Sequence, residues 1–180
     1  WFLKKKNFFY NKFDGIEFDK TFKKNNNLFI SQSCLEHVRY DLKYLLDLKK
    51  FSKSNKKKNI FIHCLPSPFC VFTYLAHGYR QYNIKNINYF SSIFGRENIY
   101  VCKLGNLNLN IEHLKKTTLP LIYQGKNLLS SQNGKYYNFL KKKINQKNNS
   151  NIFFSSFLII IGFIGMHDLE KKKILKKIFD

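Results

Sequence analysis

The fold is decided by one apolar stretch, Ile152-Phe-Phe-Ser-Ser-Phe-Leu-Ile-Ile-Ile-Gly-Phe-Ile-Gly-Met166. A helix needs about 20 consecutive apolar residues to cross the hydrocarbon core of a bilayer, and this stretch is shorter. Its β-branched and aromatic residues favour a buried strand. We therefore predict a strand over Phe157–Met166 in the interior of a sheet. Association of residues 152–166 with a membrane is kept as the alternative.

A second apolar run, Asn59-Ile-Phe-Ile-His-Cys64, has no polar alternation before His63. Such a run is typical of a strand with both faces covered, as in the middle of an α/β sheet. Two more strands are predicted over 98–103 and 120–124, and helices over 33–51, 69–82, 87–94, 111–116, 136–144 and 167–179. This alternation of strands and helices predicts a single α/β domain with a roughly four-stranded sheet.

The N-terminal residues differ from the rest of the chain. Residues 1–32 combine Lys4-Lys5-Lys6 with Phe8, Phe9 and Tyr10 and show no clean period. We interpret 1–32 as a basic, aromatic N-terminal extension and 33–180 as the α/β domain. Ser33 and Glu36 have the spacing of a capping box, which predicts that the first helix of the domain begins there.

The charge points to a polyanionic partner. Of the 180 residues, 32 are Lys or Arg and 11 are Asp or Glu, which gives a net charge of +21. A bias toward residues with A- and T-rich codons explains why lysine outnumbers arginine, but not why cations outnumber acids. Nucleic acid or an anionic membrane surface is the expected partner of so basic a chain. Lys56, Lys57 and Lys58, directly before a predicted strand, are candidate phosphate-binding residues.

Catalytic patterns are not found in the sequence. It contains neither a phosphate-binding P-loop nor a Gly-x-Ser-x-Gly motif, and Glu97 and Glu112 are the only carboxylates between residues 59 and 140. Two alternatives were considered: a zinc site and a cysteine nucleophile at Cys64 or Cys102. Neither has a supporting spacing. The residues considered for zinc are His63, Cys64, Cys70 and His77. We therefore expect a non-enzymatic protein without a cofactor or a metal.

The order of elements resembles a known family. Its counterparts in this chain are Ile60-Phe-Ile-His-Cys64, Ile99-Tyr-Val-Cys-Lys103, Leu119-Pro-Leu-Ile-Tyr-Gln-Gly125-Lys-Asn-Leu-Leu-Ser130 and Leu158-Ile-Ile-Ile-Gly162-Phe-Ile-Gly165-Met-His-Asp-Leu-Glu. Over residues 33–179 they resemble the ribosomal large-subunit protein that forms the base of the stalk, called L-ten in bacteria and P-zero in the eukaryotic cytosol. The polar turn that follows the family's first strand is replaced here by Leu65-Pro66-Ser67-Pro68.

The resemblance implies an α/β domain docked on ribosomal RNA beside a neighbouring stalk-base protein. It implies RNA-binding roles for Lys103, Asn106 and Lys126, which match the family's motifs by position. The C-terminal helix that recruits stalk dimers in that family has no counterpart in the sequence, so recruitment of dimers is not expected.

The compartment is inferred from composition. The codon bias and a sequence that begins at Trp1 indicate an organelle, and the four cysteines are too few for a disulfide framework, which indicates a reducing compartment. We therefore expect a protein of the mitochondrial ribosome; a plastid-type organelle is the other compartment that fits. The alternative is an accessory subunit of an organellar membrane complex.

Overall fold

The computed structural model describes residues 27–55, 58–74, 78–125 and 151–179. Four strands form one mixed sheet in the order β1-β2-β4-β3. The strands are β1 Leu28–Gln32, β2 Asn59–Pro66, β3 Ile99–Leu104 and β4 Phe157–Ile164. β1 is parallel to β2, whereas β4 is antiparallel to both β2 and β3. The prediction of a single α/β domain with a four-stranded sheet is confirmed.

Helices connect the strands. They are α1 Asp41–Asn55, α2 Cys70–Tyr74, α3 Ile84–Phe94, α4 Leu107–His113, α5 Leu119–Gln124 and α6 Asp168–Phe179. A π-helical segment, Leu114–Thr118, joins α4 directly to α5. Short 3-10 turns precede α1, β3 and β4.

The apolar stretch that decides the fold forms β4, an interior strand. Its side chains Leu158, Ile160, Ile161 and Phe163 are fully buried. The predicted interior strand is confirmed, although it ends at Ile164 rather than Met166. The hydrophobicity of this stretch is therefore explained by its place between two hydrogen-bonded neighbours.

Buried and partly buried side chains alternate along β2, and the buried ones face the main core. Phe61, His63 and Leu65 are completely buried, whereas Ile60, Ile62 and Cys64 on the opposite face are only partly buried. Phe61 and Leu65 belong to one hydrophobic cluster with side chains of α1 and α3, including Leu45, Leu48 and Phe90. The two helices thus cover one face of the sheet.

The sheet begins earlier than the sequence predicted. β1 lies inside the segment 1–32, which the sequence predicts to be an extension, and it pairs with β2 from Leu28↔Ile60 to Gln32↔Cys64. The boundary at residue 33 is therefore corrected: the α/β domain includes Leu28–Gln32. Residues 1–26 lie outside the described residues.

The first helix begins later than predicted. Ser33 has φ of 45° and does not cap a helix; its backbone N–H donates instead to the Cys64 carbonyl at 3.1 Å. Glu36 is buried in a 3-10 turn, and α1 starts only at Asp41. Pairing of the chain with β2 therefore takes precedence over the local capping pattern.

Two more predictions are corrected. Residues 120–124, predicted as a strand, lie in α5, because the helix that starts at Leu107 continues through the π-helical segment into this sequence. The helix predicted over 69–82 is described only as α2, and residues 78–83 are not helical. The helix predicted over 136–144 lies outside the described residues.

Candidate nucleic-acid interface

Strand direction gathers cations at one edge of the sheet, which we call the basic edge. β2 and β3 begin at this edge and β4 ends there, as the pairs Asn59↔Ile164 and Ile99↔Gly162 show. Lys58 precedes β2 and Arg96 precedes β3, and both side chains are exposed. The chain that leaves β4 enters α6 at the same edge. The cations that precede β2 and β3 therefore lie at the edge where α6 starts.

Four exposed lysines follow one another along α6: Lys172, Lys173, Lys176 and Lys177. Successive residues of a helix are rotated by about 100°, so these four cover an arc of about 140° on one side of it. The half-buried Ile174 and Leu175 lie on the other side. We call this arc the lysine stripe.

Lys171 belongs to the same run of lysines but fixes the helix in place. Its side chain is 3% exposed, and its Nζ donates to Asp168 Oδ1 at 2.9 Å and to the Glu97 carbonyl at 3.4 Å. A buried ammonium needs such partners because it has lost its water. Lys171 thereby ties α6 to the turn that precedes β3 and orients the lysine stripe outward.

The acids of α6 are engaged within the protein. Glu170 accepts a 2.5 Å hydrogen bond from Lys58, and Asp168 accepts one from Lys171. These hydrogen bonds, together with the nearby positive charges, lower the pKa of both carboxyl groups. Both acids also lie in the first helical turn, where they complement the helix dipole. In the described part of the chain, no acid forms an ion pair with a lysine of the stripe.

The structure separates the residues that the sequence proposed for RNA binding. Lys58 lies at the basic edge, whereas Lys103 lies near the end of β3, in register with Leu158 and therefore level with Leu65 of β2. At about 3.3 Å for each strand residue, the two lysines are roughly 23 Å apart along the sheet. Lys56, Lys57 and Lys126 lie outside the described residues.

Asn106 has a structural role in the described fold. Its side chain is buried, and its Oδ1 accepts a 2.8 Å hydrogen bond from the backbone N–H of Leu109. It is the N-cap residue of α4. Asn106 thus satisfies a backbone donor at the edge opposite the basic edge.

Replacing Asn106 distinguishes its role as the N-cap of α4 from the RNA contact that the family resemblance implies. Asn106→Ala is expected to lower the free energy of unfolding by about 1 kcal/mol, because an N-terminal donor of α4 loses its acceptor. RNA affinity of the folded variant should stay unchanged. Urea unfolding and an RNA titration measure the two quantities. A loss of affinity without a loss of stability would contradict the structural role and support the RNA contact that the family resemblance implies.

Sequence reasoning did not single out Arg96 or the lysine stripe as a site. The signal for the stripe was present in the pairs Lys172–Lys176 and Lys173–Lys177, which are four residues apart and therefore share one side of a helix. Arg96 carried no such signal. Its position depends on the antiparallel pairing of β3 with β4, which local sequence does not reveal.

The buried histidine does not supply a reactive base. A hydrogen bond of 2.8 Å joins Ser31 Oγ to His63 Nδ1, an arrangement that resembles a nucleophile and its base. However, His63 is completely buried, and burial lowers its pKa to about 3. A general base works best with a pKa near the ambient pH. The Ser31–His63 pair is therefore a feature of the core.

The cysteines are unreactive, and no metal-binding cluster is found among the described residues. Burial raises the pKa of the thiols of Cys34, Cys64, Cys70 and Cys102, which keeps them in the less reactive protonated form. Within the described ranges, no group of three or more His, Cys, Asp or Glu side chains is arranged to hold a metal ion. His77 lies outside those ranges.

Among the described residues, no helix combines the length and the apolar character that crossing a bilayer requires. The fold and the site together define an α/β domain with a basic edge. No family model, curated protein or solved structure matches this chain. The resemblance to the stalk-base family therefore remains a prediction from sequence.

Proposed function

We propose that this protein is a non-enzymatic structural constituent of the large subunit of a mitochondrial ribosome and binds ribosomal RNA at the base of the stalk. The observation that carries RNA binding is the lysine stripe on α6. The assignment to the stalk base, beside a neighbouring stalk-base protein, is supported by the family resemblance alone. Lysine contacts to phosphates give affinity and orientation rather than sequence readout, which suits a structural component of a particle.

The geometry of α6 favours RNA over a membrane surface. A helix that lies on a bilayer inserts a broad apolar face among the lipids. In α6 the half-buried Ile174 and Leu175 are turned away from the lysine stripe, and Lys171 fixes the helix by its Nζ contacts. Leu169 is the one apolar side chain within the arc of the stripe. A surface of mobile ammonium groups binds phosphates without any insertion.

The proposal predicts a specific effect of charge on binding. The double substitution Lys172→Gln and Lys176→Gln should weaken RNA binding and reduce the slope of log affinity against log salt by about one for each lysine that contacts a phosphate. Fluorescence anisotropy with a labelled ribosomal RNA fragment, titrated at several salt concentrations, gives both values.

A matched control removes the same charge elsewhere. Lys43 and Lys85 are exposed residues in the first turns of α1 and α3, near the opposite edge of the sheet. Lys43→Gln with Lys85→Gln should leave the salt slope nearly unchanged. Equal losses in the two double variants would mean that net charge, and not the lysine stripe, determines binding.

The ribosomal assignment requires a separate experiment. An epitope-tagged chain should sediment with large ribosomal subunits from mitochondria at low salt, and crosslinks should fall on the RNA that supports the stalk. Recovery in the membrane pellet after carbonate extraction would contradict the assignment and favour the membrane-complex alternative.

A further inference from the structure

Four phenylalanine side chains form a second surface feature, which we call the phenylalanine cluster: Phe69, Phe72, Phe153 and Phe154. The ring of Phe69 lies at its centre, with centroids 5.4 Å from Phe72, 6.3 Å from Phe153 and 6.1 Å from Phe154. The Phe153 and Phe154 rings meet edge to face at 5.2 Å. The cluster joins the chain that leaves β2 to the chain that enters β4.

Two rings of the cluster remain in contact with solvent. Phe72 is 55% exposed and Phe153 is 44% exposed. Phenylalanine has no polar group that could gain from contact with water. Contiguous exposed apolar patches on a protein surface commonly mark interaction sites. The neighbouring Val71 is exposed as well, so the surface continues along α2.

The backbone on both sides of the phenylalanine cluster is hydrogen-bonded to neighbouring elements. The backbone carbonyl of Phe154 accepts a 2.9 Å hydrogen bond from the Asn110 side chain of α4. Thr73, next to Phe72, accepts a 2.6 Å hydrogen bond on its carbonyl from the Thr118 hydroxyl. Both rings are therefore presented by backbone that is anchored to the helix running from α4 into the π-helical segment.

The elements that anchor the phenylalanine cluster carry positive charge. Lys115 is exposed on the π-helical segment, one turn before Thr118. On the other side, Lys103 is exposed on β3, and the next residue, Leu104, accepts a 2.7 Å hydrogen bond from the backbone of Ser156. Glu112, an acid of the same helix, is paired with Lys116 at 3.1 Å. Each element that anchors the phenylalanine cluster thus has an exposed lysine within a few residues of the anchoring hydrogen bond.

We propose that unpaired bases of RNA stack on Phe72 and Phe153 while Lys103 and Lys115 contact the adjoining phosphates. This inference rests on the proposed RNA-binding function and adds the class of RNA that this edge of the sheet recognises. Aromatic side chains stack on any base, and cations beside them follow the backbone. An apolar protein partner would gain nothing from Lys103 and Lys115 beside the rings.

The two surfaces would then contact different parts of one RNA. The phenylalanine cluster follows the end of β2, whereas α6, which carries the lysine stripe, starts at the basic edge where β2 begins. The length of β2, about 25 Å, separates the cluster from the start of α6. We expect paired RNA, which exposes mainly phosphates, at the basic edge, and unpaired nucleotides at the phenylalanine cluster.

The test compares paired and unpaired RNA. Phe72→Leu with Phe153→Leu removes both ring faces but keeps apolar side chains. Affinity for an unpaired oligouridylate of about 12 nucleotides should fall roughly fivefold for each ring lost, at the lower end of what base stacking contributes. Affinity for a blunt-ended RNA duplex of the same length, which has no unpaired bases, should not change. Phe179→Leu, a matched change at a ring that is 57% exposed at the end of α6, should affect neither RNA.

Each result decides the proposal. The selective loss for unpaired RNA supports it, provided that thermal melting shows the double variant folded. Unchanged affinity for unpaired RNA overturns it, and so does an equal loss for both RNAs.

The failure of the stacking proposal can be told apart from the failure of the proposed function. If the phenylalanine variant behaves like the natural chain while the Lys172/Lys176 variant is weakened, only the stacking proposal fails. If the natural chain binds neither RNA, the proposed function fails as well. A dimer that the two leucines dissociate, with RNA binding intact, would identify a second copy as the occupant.

Discussion

Gly162→Ala should destabilise the protein by about 3–5 kcal/mol, which is enough to unfold many domains of this size. Gly162 lies in β4, where it pairs with Phe61 of β2 and Ile99 of β3. A Cβ atom at this position would come within 1.8 Å of the Phe61 ring. The ring cannot move aside, because it is fully buried and packs against Phe94 and His63 at centroid distances of 4.6 and 5.3 Å.

A double-mutant cycle isolates this contact. Phe61→Leu alone leaves a cavity and should cost about 1–3 kcal/mol. In that background Gly162→Ala should cost much less than it does alone, because the clashing ring atoms are gone. Gly125→Ala serves as the control: its φ of 62° imposes a backbone cost of about 1 kcal/mol, but a Cβ there meets no atom within 4 Å. Urea unfolding measures all four variants. Additive costs at 61 and 162 would refute the packing argument.

Acid should destabilise the protein through His63. The unfolded chain binds a proton at this imidazole near pH 6.5, whereas burial lowers its pKa in the folded protein to about 3. The folded state therefore excludes a proton that the unfolded state takes up. Stability is complete above pH 6.5 and falls by about 1.4 kcal/mol for each pH unit below it, until the folded pKa is reached. Between about pH 6.5 and about pH 5 we expect the free energy of unfolding to fall by about 2 kcal/mol.

The two carboxyl groups of α6 titrate below this window. Asp168 and Glu170 have lowered pKa values, so their contributions are lost only at more acidic pH. His63→Phe, which fits the aromatic surroundings of Tyr44 and Phe61, should flatten the pH dependence, while His37→Gln at an exposed position should not. Burial also lowers the pKa of His113, and that group accounts for any remaining slope of the same sign. An unchanged slope in His63→Phe would show that His63 does not determine acid stability.

The sheet was predictable where the sequence is strongly apolar. The runs around Phe61 and Ile160 are too short for a bilayer and too hydrophobic for the surface, so burial in a sheet follows from their composition. β1 could not be recognised in this way. Its exposed Leu28 and Ile30 alternate with Phe29 and the polar Ser31, and its pairing with β2 defines it as a strand.

The candidate site was predictable only in part. Lys58 was identified from its position before a strand, and it does lie at the basic edge, although it forms an ion pair with Glu170. Lys171 belongs to a lysine run yet is buried, because Asp168 and the Glu97 carbonyl bind its Nζ atom. A run of lysines does not reveal which members face solvent. That depends on how the helix packs.

By itself, the sequence determined an α/β domain with a buried apolar strand that starts at Phe157 and a basic helix after it, because hydrophobic periodicity and charge are local properties. Only the tertiary structure decided that β4 inserts between β2 and β3. This insertion brings Lys58, Arg96 and the start of α6 to one edge, and it moves Lys103 to the other. The physical reason is that strand direction and register arise from pairing between distant segments, and these fix where each charge lies.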